Sequence, residues 1–242
     1  MSMNLFIKIL GKIKDYRHIT LSGMGEPMLH HNFLSMCYVA RDKGFEVFVI
    51  TNGSKLTVPM FQELDKIGVN IRVSWYGKKE QREILDEIFK LPRKIKLNLH
   101  FTPMVAGQSD SVQFIEDFKD KADQIEIWTP HNWGDTFKYR EVKNQASCPR
   151  IKRDPLQIHV NGDVVACTVD WDSQLVYGNL DTQTLDEVFE SELYARLKRD
   201  EYDGLICETC DFRNEDKEEV LYYSTWQGED RGNKTSTCYE EL

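Results

Sequence analysis

The sequence predicts an α/β protein: a parallel sheet built from strand–helix units, followed by a smaller region that combines a β-hairpin with a helix. Short apolar runs alternate with helical patterns as far as about residue 135, and beyond Cys148 an Asn-Gly pair separates two alternating runs. Alternating strands and helices form parallel βα units, which assemble into an open α/β sheet or a (βα) barrel.

Five short runs rich in Ile, Val, Leu and Phe are the predicted strands. They cover residues 18–21, 46–50, 70–74, 96–101 and 124–128. Helical patterns lie between them, and Gly68 follows one of these patterns where a C-terminal capping glycine belongs. A further helical pattern at 4–14 opens the chain with no strand before it, so the strand at 18–21 is expected to leave one edge bare.

The bulk composition excludes several classes of protein. The chain has 242 residues, 40% of them hydrophobic, and a formal net charge of −9, which supplies a core but no basic surface for nucleic acid. No apolar run reaches the roughly 18 residues that a membrane span needs, and the N-terminus lacks the features of a secretory signal. We therefore expect a cytoplasmic protein without nucleic-acid or membrane partners, in which cysteines serve metal or redox chemistry.

A hairpin and a helix are predicted beyond Cys148. Asn161-Gly162 favours a two-residue type I′ turn, because both central positions of that turn need positive φ. Thr184 and Glu187 have the spacing of a capping box at the start of a helix. The predicted hairpin register pairs Val160 with Asp163, Ile158 with Val165 and Leu156 with Cys167. The predicted inner face of the helix consists of Leu185, Val188, Phe189, Leu193 and Leu197.

Four cysteines form the strongest candidate site. The hairpin places Cys167 at the end where the chain enters from Cys148, and a CETC sequence supplies Cys207 and Cys210. Four soft sulfur ligands suit zinc or a [4Fe–4S] cluster. The 19 positions between Cys148 and Cys167 favour the cluster, because structural zinc sites more often use two close-spaced pairs; free thiols are the third alternative.

The two remaining cysteines are weaker candidates. Cys37 lies within a helical pattern and is expected to be a buried small apolar residue. Cys238, in a polar tail, is either an additional ligand or a free thiol.

Unusual turns follow the predicted strands, at the ends where a βα array places its chemistry. The sharpest is SGMGEP at 22–27: its glycines let a ligand approach the backbone, and Glu26 offers an anionic acceptor for an ammonium group. The others are TNG at 51–53, SWYG at 74–77, TPM at 102–104 and TPHNW at 129–133. Loops favour such residues in any protein, so a plain turn is the alternative.

SGMGEP after one strand and TNG after the next resemble the radical S-adenosylmethionine (SAM) enzymes, whose corresponding motif is GGEP. The C-terminal part, with its four cysteines and GNL at 178–180, resembles a SPASM or Twitch auxiliary-cluster domain. The resemblance implies a partial radical SAM-type (βα) barrel in residues 1–140, missing its first strand, and an auxiliary-cluster domain with a tail in 141–242.

The resemblance also implies roles for individual residues. Gly23, Met24, Gly25 and Glu26 would line the site for the methionyl amino group of SAM, with Asn52 and Ser74 near its ribose. Cys148, Cys167, Cys207 and Cys210 would hold one auxiliary [4Fe–4S] cluster. Asp216 and Val220 stand where the longer SPASM pattern has cysteines, which fits the one-cluster Twitch form.

The defining CxxxCxxC motif of these enzymes, which binds the cluster that cleaves SAM, does not occur in the 242 residues. Two interpretations follow: a fragment of an active enzyme, or a natural short form that has lost radical chemistry. The bare strand edge favours the first interpretation. The primary cluster is therefore expected only together with an additional N-terminal segment.

The resulting hypothesis is a radical SAM oxidoreductase or transferase that modifies a peptide or a small molecule and receives electrons from a donor protein. The candidate substrate contacts are Trp75, Tyr76, His131, Asn132 and Trp133, with core packing as the alternative for both tryptophans. Two other hypotheses stay open: a degenerate member that binds a peptide or partner and uses its metal for folding, and a zinc-stabilised α/β protein.

Overall fold

The computed structural model describes residues 1–103, 108–128, 130–134, 136–143, 145–153, 156–214 and 221–224. These residues pack into two compact units. The sheet unit contains residues 15–128 and 221–224, and the cysteine unit contains residues 1–14 and 130–214. The predicted division at residue 140 stays a prediction, and the packing units differ from it in the placement of the first helix and the last strand.

The sheet unit is built around five parallel strands in sequential order, which confirms the predicted α/β class. The strands are β1 (His18–Leu21), β2 (Glu46–Thr51), β3 (Val69–Trp75), β4 (Leu97–Phe101) and β5 (Gln124–Trp128). A sixth strand, Leu221–Ser224, pairs antiparallel with β5 and was not predicted. Among the described residues β1 pairs with β2 alone, so its other edge has no strand beside it.

Four helices connect the parallel strands. The first helix of the chain, α1 (Met3–Lys12), belongs to the cysteine unit; the connecting helices are α2 (Phe33–Asp42), α3 (Val58–Ile67), α4 (Lys79–Ile88) and α5 (Gln108–Phe118). In α3, the Thr57 side chain accepts a hydrogen bond from the Met60 amide at the N-terminus, and Gly68 ends the helix with φ 84°. Gly68 therefore has the predicted capping role.

The two faces of the sheet differ in polarity, because side chains alternate along each strand. In β3 the residues Val69, Ile71, Val73 and Trp75 are buried, whereas the alternate positions are half-buried and carry polar side chains. Trp75 reaches Phe118 of α5 with a ring-centroid distance of 4.9 Å, so the apolar face packs against helices.

The cysteine unit contains a three-stranded antiparallel sheet and three helices. The strands are β6 (Gln157–Ile158), β7 (Asp163–Val165) and β8 (Val176–Asn179), followed by α6 (Leu185–Phe189) and α7 (Glu192–Lys198). Helix α1 is held to this unit by two lysines. Lys8 forms an ion pair with Asp181, and Lys12 donates to the carbonyls of Leu180 and Gln183 at 2.7 and 2.6 Å.

The hairpin forms where predicted, but its register was wrong by one residue. Ile158 pairs with Val164 and Gln157 with Val165, and the His159 amide donates to the Asp163 carbonyl at 2.8 Å. The connection is thus a three-residue loop with Gly162 at φ 95°, not a two-residue turn. Gly162 fits because a Cβ there would lie 2.8 Å from Oδ1 of Asn179.

The helix predicted after Thr184 is interrupted. The capping box of Thr184 and Glu187 is confirmed, but α6 ends at Phe189 and Ser191 caps a second helix by accepting from the Tyr194 amide. Of the predicted inner face, Val188 and Leu197 are fully buried, and Leu185, Phe189 and Leu193 are only half-buried. Serine favours this break because its side chain satisfies the free amides of a new helix start.

None of the helices in the described part of the chain has the length and apolarity that a membrane crossing requires.

Candidate metal centre and ligand-binding loops

Four cysteine thiols line one small cavity in the cysteine unit. Cys148 precedes a short 3₁₀ turn at Ile151–Arg153, and Cys167 follows β7. Cys207 and Cys210 lie in the loop before a second 3₁₀ turn at Asp211–Arg213. Apolar side chains complete most of the wall: Ile151, Val169, Leu175, Ile206 and Phe212. All four cysteines are free, so three separate segments deliver four thiols to one place.

Because these thiols are buried, their deprotonated form is unfavourable unless a cation stabilises it. Burial raises the pKa of Cys207 to about 12, and the nearby thiols of Cys148, Cys210 and Cys167 add to the shift. Burial likewise raises the pKa of Cys210 to about 12 and raises that of Cys148. A thiolate is the form that binds metal, so a positively charged centre would have to stabilise the deprotonated ligands.

The donor set fits a polynuclear group. The four thiols surround one cavity, and in a [4Fe–4S] cluster each of four thiolates binds a different iron atom. These four residues would hold such a cluster, and it would supply one-electron redox chemistry.

Two residues that the sequence did not single out connect the thiol-bearing segments. The Tyr202 hydroxyl accepts a hydrogen bond from the Cys148 amide at 2.9 Å and donates to Asp200 at 2.6 Å. Arg213 donates to the carbonyls of Cys207 and Ala146 at 2.7 and 2.9 Å. Sequence spacing carries no signal for these contacts, because they join residues up to 67 positions apart.

In the sheet unit, Glu26 links two of the predicted ligand-binding loops. Its carboxylate accepts from the Met28 amide at 3.1 Å, from the Thr51 hydroxyl at 2.8 Å and from the Asn52 amide at 2.7 Å. SGMGEP and TNG are therefore adjacent at one edge of the sheet. A carboxylate has about four acceptor positions, so Glu26 can still accept from a ligand.

Gln81 connects the next loop to the same edge. It lies on the buried side of α4, and its side-chain amide donates to the carbonyls of Asn52 and Ser74 at 3.0 and 2.7 Å. Its oxygen accepts from the Tyr76 amide at 2.9 Å. A glutamine in the apolar stripe with Leu85 and Ile88 is the sequence signal that could have identified this residue.

Gly23 and Gly25 have no structural requirement for glycine in the described residues. Neither has a positive φ, and a Cβ built at either position would meet nothing within 4 Å. Met24, between them, is 72% exposed. Neither backbone strain nor packing therefore requires glycine here, and the approach of a ligand to this backbone stays a prediction.

The predicted substrate contacts of the sheet unit differ in placement. Trp75 is buried against Phe114 and Phe118, with the Arg82 guanidinium 5.1 Å from its ring centroid. Trp75 is therefore a core residue, as the packing alternative predicted, and we do not retain it as a substrate contact. Tyr76 is 61% exposed and remains a candidate.

The candidate substrate contacts in the cysteine unit also differ in placement. Asn132 is buried, and its side chain donates to the Arg140 carbonyl and accepts from the Arg140 amide. The backbone amide of Asn132 donates to the Asp211 carboxylate. It is thus a structural residue and is likewise not retained. His131 stacks on Trp133 with ring centroids 4.9 Å apart. Burial, together with the positive charges of Arg150 and Arg140, lowers the pKa of His131 to about 4, so its imidazole is neutral at physiological pH.

Of the two other cysteines, Cys37 lies outside this site. Cys37 is fully buried in α2, and burial raises the pKa of its thiol to about 12, as expected for a packed apolar residue. Cys238 falls outside the described residues.

Comparison with known proteins agrees with this geometry. Residues 148–211 match the model of the SPASM iron–sulfur cluster-binding domain. Over 74 residues the chain is 36% identical to the tungsten-containing aldehyde ferredoxin oxidoreductase cofactor-modifying protein of Pyrococcus furiosus. That stretch covers 29% of this chain and 21% of the relative, so the match spans about a fifth of the relative's length.

Solved structures share the fold at low sequence identity. BtrN in complex with AdoMet and 2-DOIA has a TM-score of 0.58 and 17% identity, covering 82% of this chain and 73% of that chain. SuiB of Streptococcus suis bound to precursor peptide SuiA has a TM-score of 0.67 and 11% identity, covering 88% and 63%. Native anSMEcpe with bound AdoMet has a TM-score of 0.60 and 14% identity, covering 81% and 74%.

The fold defines the class: an α/β protein whose sheet unit has the partial-barrel fold of the radical SAM enzymes named above. All four cysteines of the cavity lie within the residues that match the SPASM iron–sulfur cluster-binding model.

Proposed function

We propose that this chain binds SAM in its sheet unit and an auxiliary [4Fe–4S] cluster in its cysteine unit, and serves radical modification or oxidation of a peptide. The observation that carries the proposal is the convergence of Cys148, Cys167, Cys207 and Cys210 on one cavity. The match of residues 148–211 to an iron–sulfur domain supports the same ligand set.

The SAM site is proposed at the edge formed by 23–26, Asn52 and Ser74. Glu26 holds the first two loops together and keeps acceptor capacity for the SAM ammonium group. Gln81 fixes the carbonyl ends of Asn52 and Ser74, so the loops are held in place before a ligand binds. The exposed glycines leave room for the backbone to contact the ligand.

The cofactors would supply the difficult chemistry, namely radical generation from SAM and one-electron transfer at the auxiliary cluster. The chain's own residues would bind and orient SAM and the substrate and would exclude water from them. The proposed substrate contacts are Tyr76, His131 and Trp133. Free thiols and a reducible cluster suit the cytoplasm, where reduction by a donor protein is available.

A peptide substrate is preferred to a small molecule. SuiB is described with a precursor peptide, which supports this preference. The Pyrococcus relative is described as a cofactor-modifying protein, so it does not decide between the two substrate classes. BtrN, with the small molecule 2-DOIA, keeps the alternative substrate class in the proposal.

The test is anaerobic reconstitution with iron and sulfide, followed by calorimetric titration of SAM into wild type and Glu26→Gln. We expect wild type to bind SAM and Glu26→Gln to bind at least about 10-fold more weakly, because the ammonium group and the Asn52 amide both lose the carboxylate. Glu63→Gln, on the surface of α3, is the matched control and should bind like wild type. A wild type that binds iron but no SAM contradicts the proposed SAM site.

That contradicting result would support a second candidate function. This second candidate is a protein that binds a peptide or partner and uses its cluster for stability. Such a protein would lose its folded structure with iron removal and would show no SAM affinity.

A further inference from the structure

Arg213 joins the two chain segments that carry the first and third thiols of the cavity. Its Nη1 donates to the Cys207 carbonyl, and its Nε donates to the carbonyl of Ala146, two positions before Cys148. Its guanidinium lies 3.8 Å from the centroid of the Tyr202 ring. The Tyr202 hydroxyl in turn accepts from the Cys148 amide, so Arg213 and Tyr202 hold both segments in one geometry.

Arg150 is a second cation on the same cavity. Its guanidinium lies 4.3 Å from the centroid of the Phe212 ring, and it donates to the Thr168 hydroxyl, one position after Cys167. Apart from the four cysteines, the described residues that line the cavity include two ionisable side chains, those of Arg150 and Arg213. The described wall contains no carboxylate, and Asp211, which follows Cys210 and interacts electrostatically with Arg150, forms its ion pair with Arg140.

We propose that Arg213 is a positioning residue for the thiol ligands and that, with Arg150, it raises the reduction potential of the bound cluster. The inference rests on the proposed function, which assigns the four cysteines as ligands.

The physical reason is the charge balance of the cavity. Four thiolates outweigh the positive charge of an oxidised cluster core, and uptake of one electron adds one more negative charge. Two guanidinium groups in an apolar cavity stabilise the more negative state, because Coulombic interactions strengthen where water is excluded. Net charge and hydrogen bonding around a cluster are known determinants of its potential.

Three substitutions separate positioning from charge. Arg213→Lys keeps the charge but loses the planar group that reaches two carbonyls and stacks on Tyr202. Arg213→Gln removes the charge as well. Arg150→Gln also removes one positive charge, but it leaves the contacts of Arg213 with Cys207 and Ala146 intact. Arg199→Gln is the control, since Arg199 lies on the surface of the same unit and pairs with Glu192 and Glu201.

Two measurements on anaerobically reconstituted protein test the proposal: the rate of iron loss to a chelator, and the midpoint potential from dithionite titration followed by electron paramagnetic resonance. Iron loss should be about 10-fold faster or more in both Arg213 variants, as for residues that orient metal ligands, and unchanged in Arg150→Gln and Arg199→Gln. The potential should fall in Arg213→Gln and Arg150→Gln, and stay near wild type in Arg213→Lys and Arg199→Gln.

The outcomes are distinguishable from failure of the proposed function. Wild type that incorporates no iron and sulfide refutes the ligand assignment itself. A bound cluster whose potential is the same in wild type, Arg213→Gln and Arg150→Gln overturns the role of charge. If the Arg213 variants do not fold, Tyr202→Leu, which removes the ring against which Arg213 packs, tests positioning by the chelator assay, and a wild-type rate of iron loss overturns that role.

Discussion

The Tyr202 hydroxyl is the most informative single group to remove. Tyr202 is buried, and its hydroxyl connects the Cys148 amide, at 2.9 Å, to the Asp200 carboxylate, at 2.6 Å. Tyr202→Phe removes both hydrogen bonds while keeping the ring that lies against Arg213. The substitution therefore isolates the polar link between the thiol-bearing segment and the loop after α7.

The expected cost follows from the burial of each partner. Cys148 is buried, and an amide left without its acceptor costs about 1–3 kcal/mol. Asp200 keeps Ser147 and Lys152 as partners and is more than one-third exposed, so losing the hydrogen bond from Tyr202 to Asp200 adds well under about 1 kcal/mol. A total near 2 kcal/mol lowers the Tm by about 4–8 °C in a chain of this size.

The assay is thermal unfolding of the metal-free protein followed by circular dichroism. Tyr177→Phe is the matched control: Tyr177 is equally aromatic and buried in the same unit, but its hydroxyl makes no hydrogen bond within the described residues. The control should unfold within about 2 °C of wild type. Equal Tm values for the two variants would refute the claim that Tyr202 holds Cys148 in place.

Three further predictions concern other contacts. Gln81→Leu should lower the free energy of unfolding in urea by about 2–3 kcal/mol and weaken SAM binding, because it removes three hydrogen bonds to loop backbone; unchanged SAM affinity would contradict its role at the site. Gly162→Ala should destabilise more than Gly204→Ala, by about 1 kcal/mol or more, since both have positive φ but only Gly162 adds the clash with Asn179; equal Tm values would contradict this. Hydrogen bonds from Ser147 and Tyr202, and then Lys152, lower the pKa of Asp200 to about 2, so its stabilising contribution is complete above pH ~4 and is lost as the pH falls towards 2; the stability difference between wild type and Asp200→Asn should shrink over that range, and a constant difference would contradict it.

The sheet and the cysteine cavity could be predicted because their signals are local or chemically specific. Apolar runs followed by glycine turns identified β1 to β5, and sulfur chemistry singled out Cys148, Cys167, Cys207 and Cys210. The Thr184 capping box was also found, since it depends on residues three positions apart.

The parts that could not be predicted depend on competition between similar local structures or on distant contacts. Gly162 suits a two-residue turn and a three-residue loop equally, so the sequence pattern did not decide the hairpin register. Ser191 ends one helix by starting another, within a stretch whose apolar spacing is continuous. The contacts of Tyr202 and Arg213 join segments that only the tertiary fold brings together.

The most direct measurement is the iron and sulfide content per chain of anaerobically reconstituted protein, with Mössbauer spectroscopy to identify the species. Wild type and Cys37→Ala are expected to contain four iron and four sulfide per chain with a [4Fe–4S] spectrum. The ligand variants Cys148→Ala and Cys207→Ala should lose most of this iron and sulfide. Zinc in place of iron, or a cluster that survives unchanged in both ligand variants, would contradict the account.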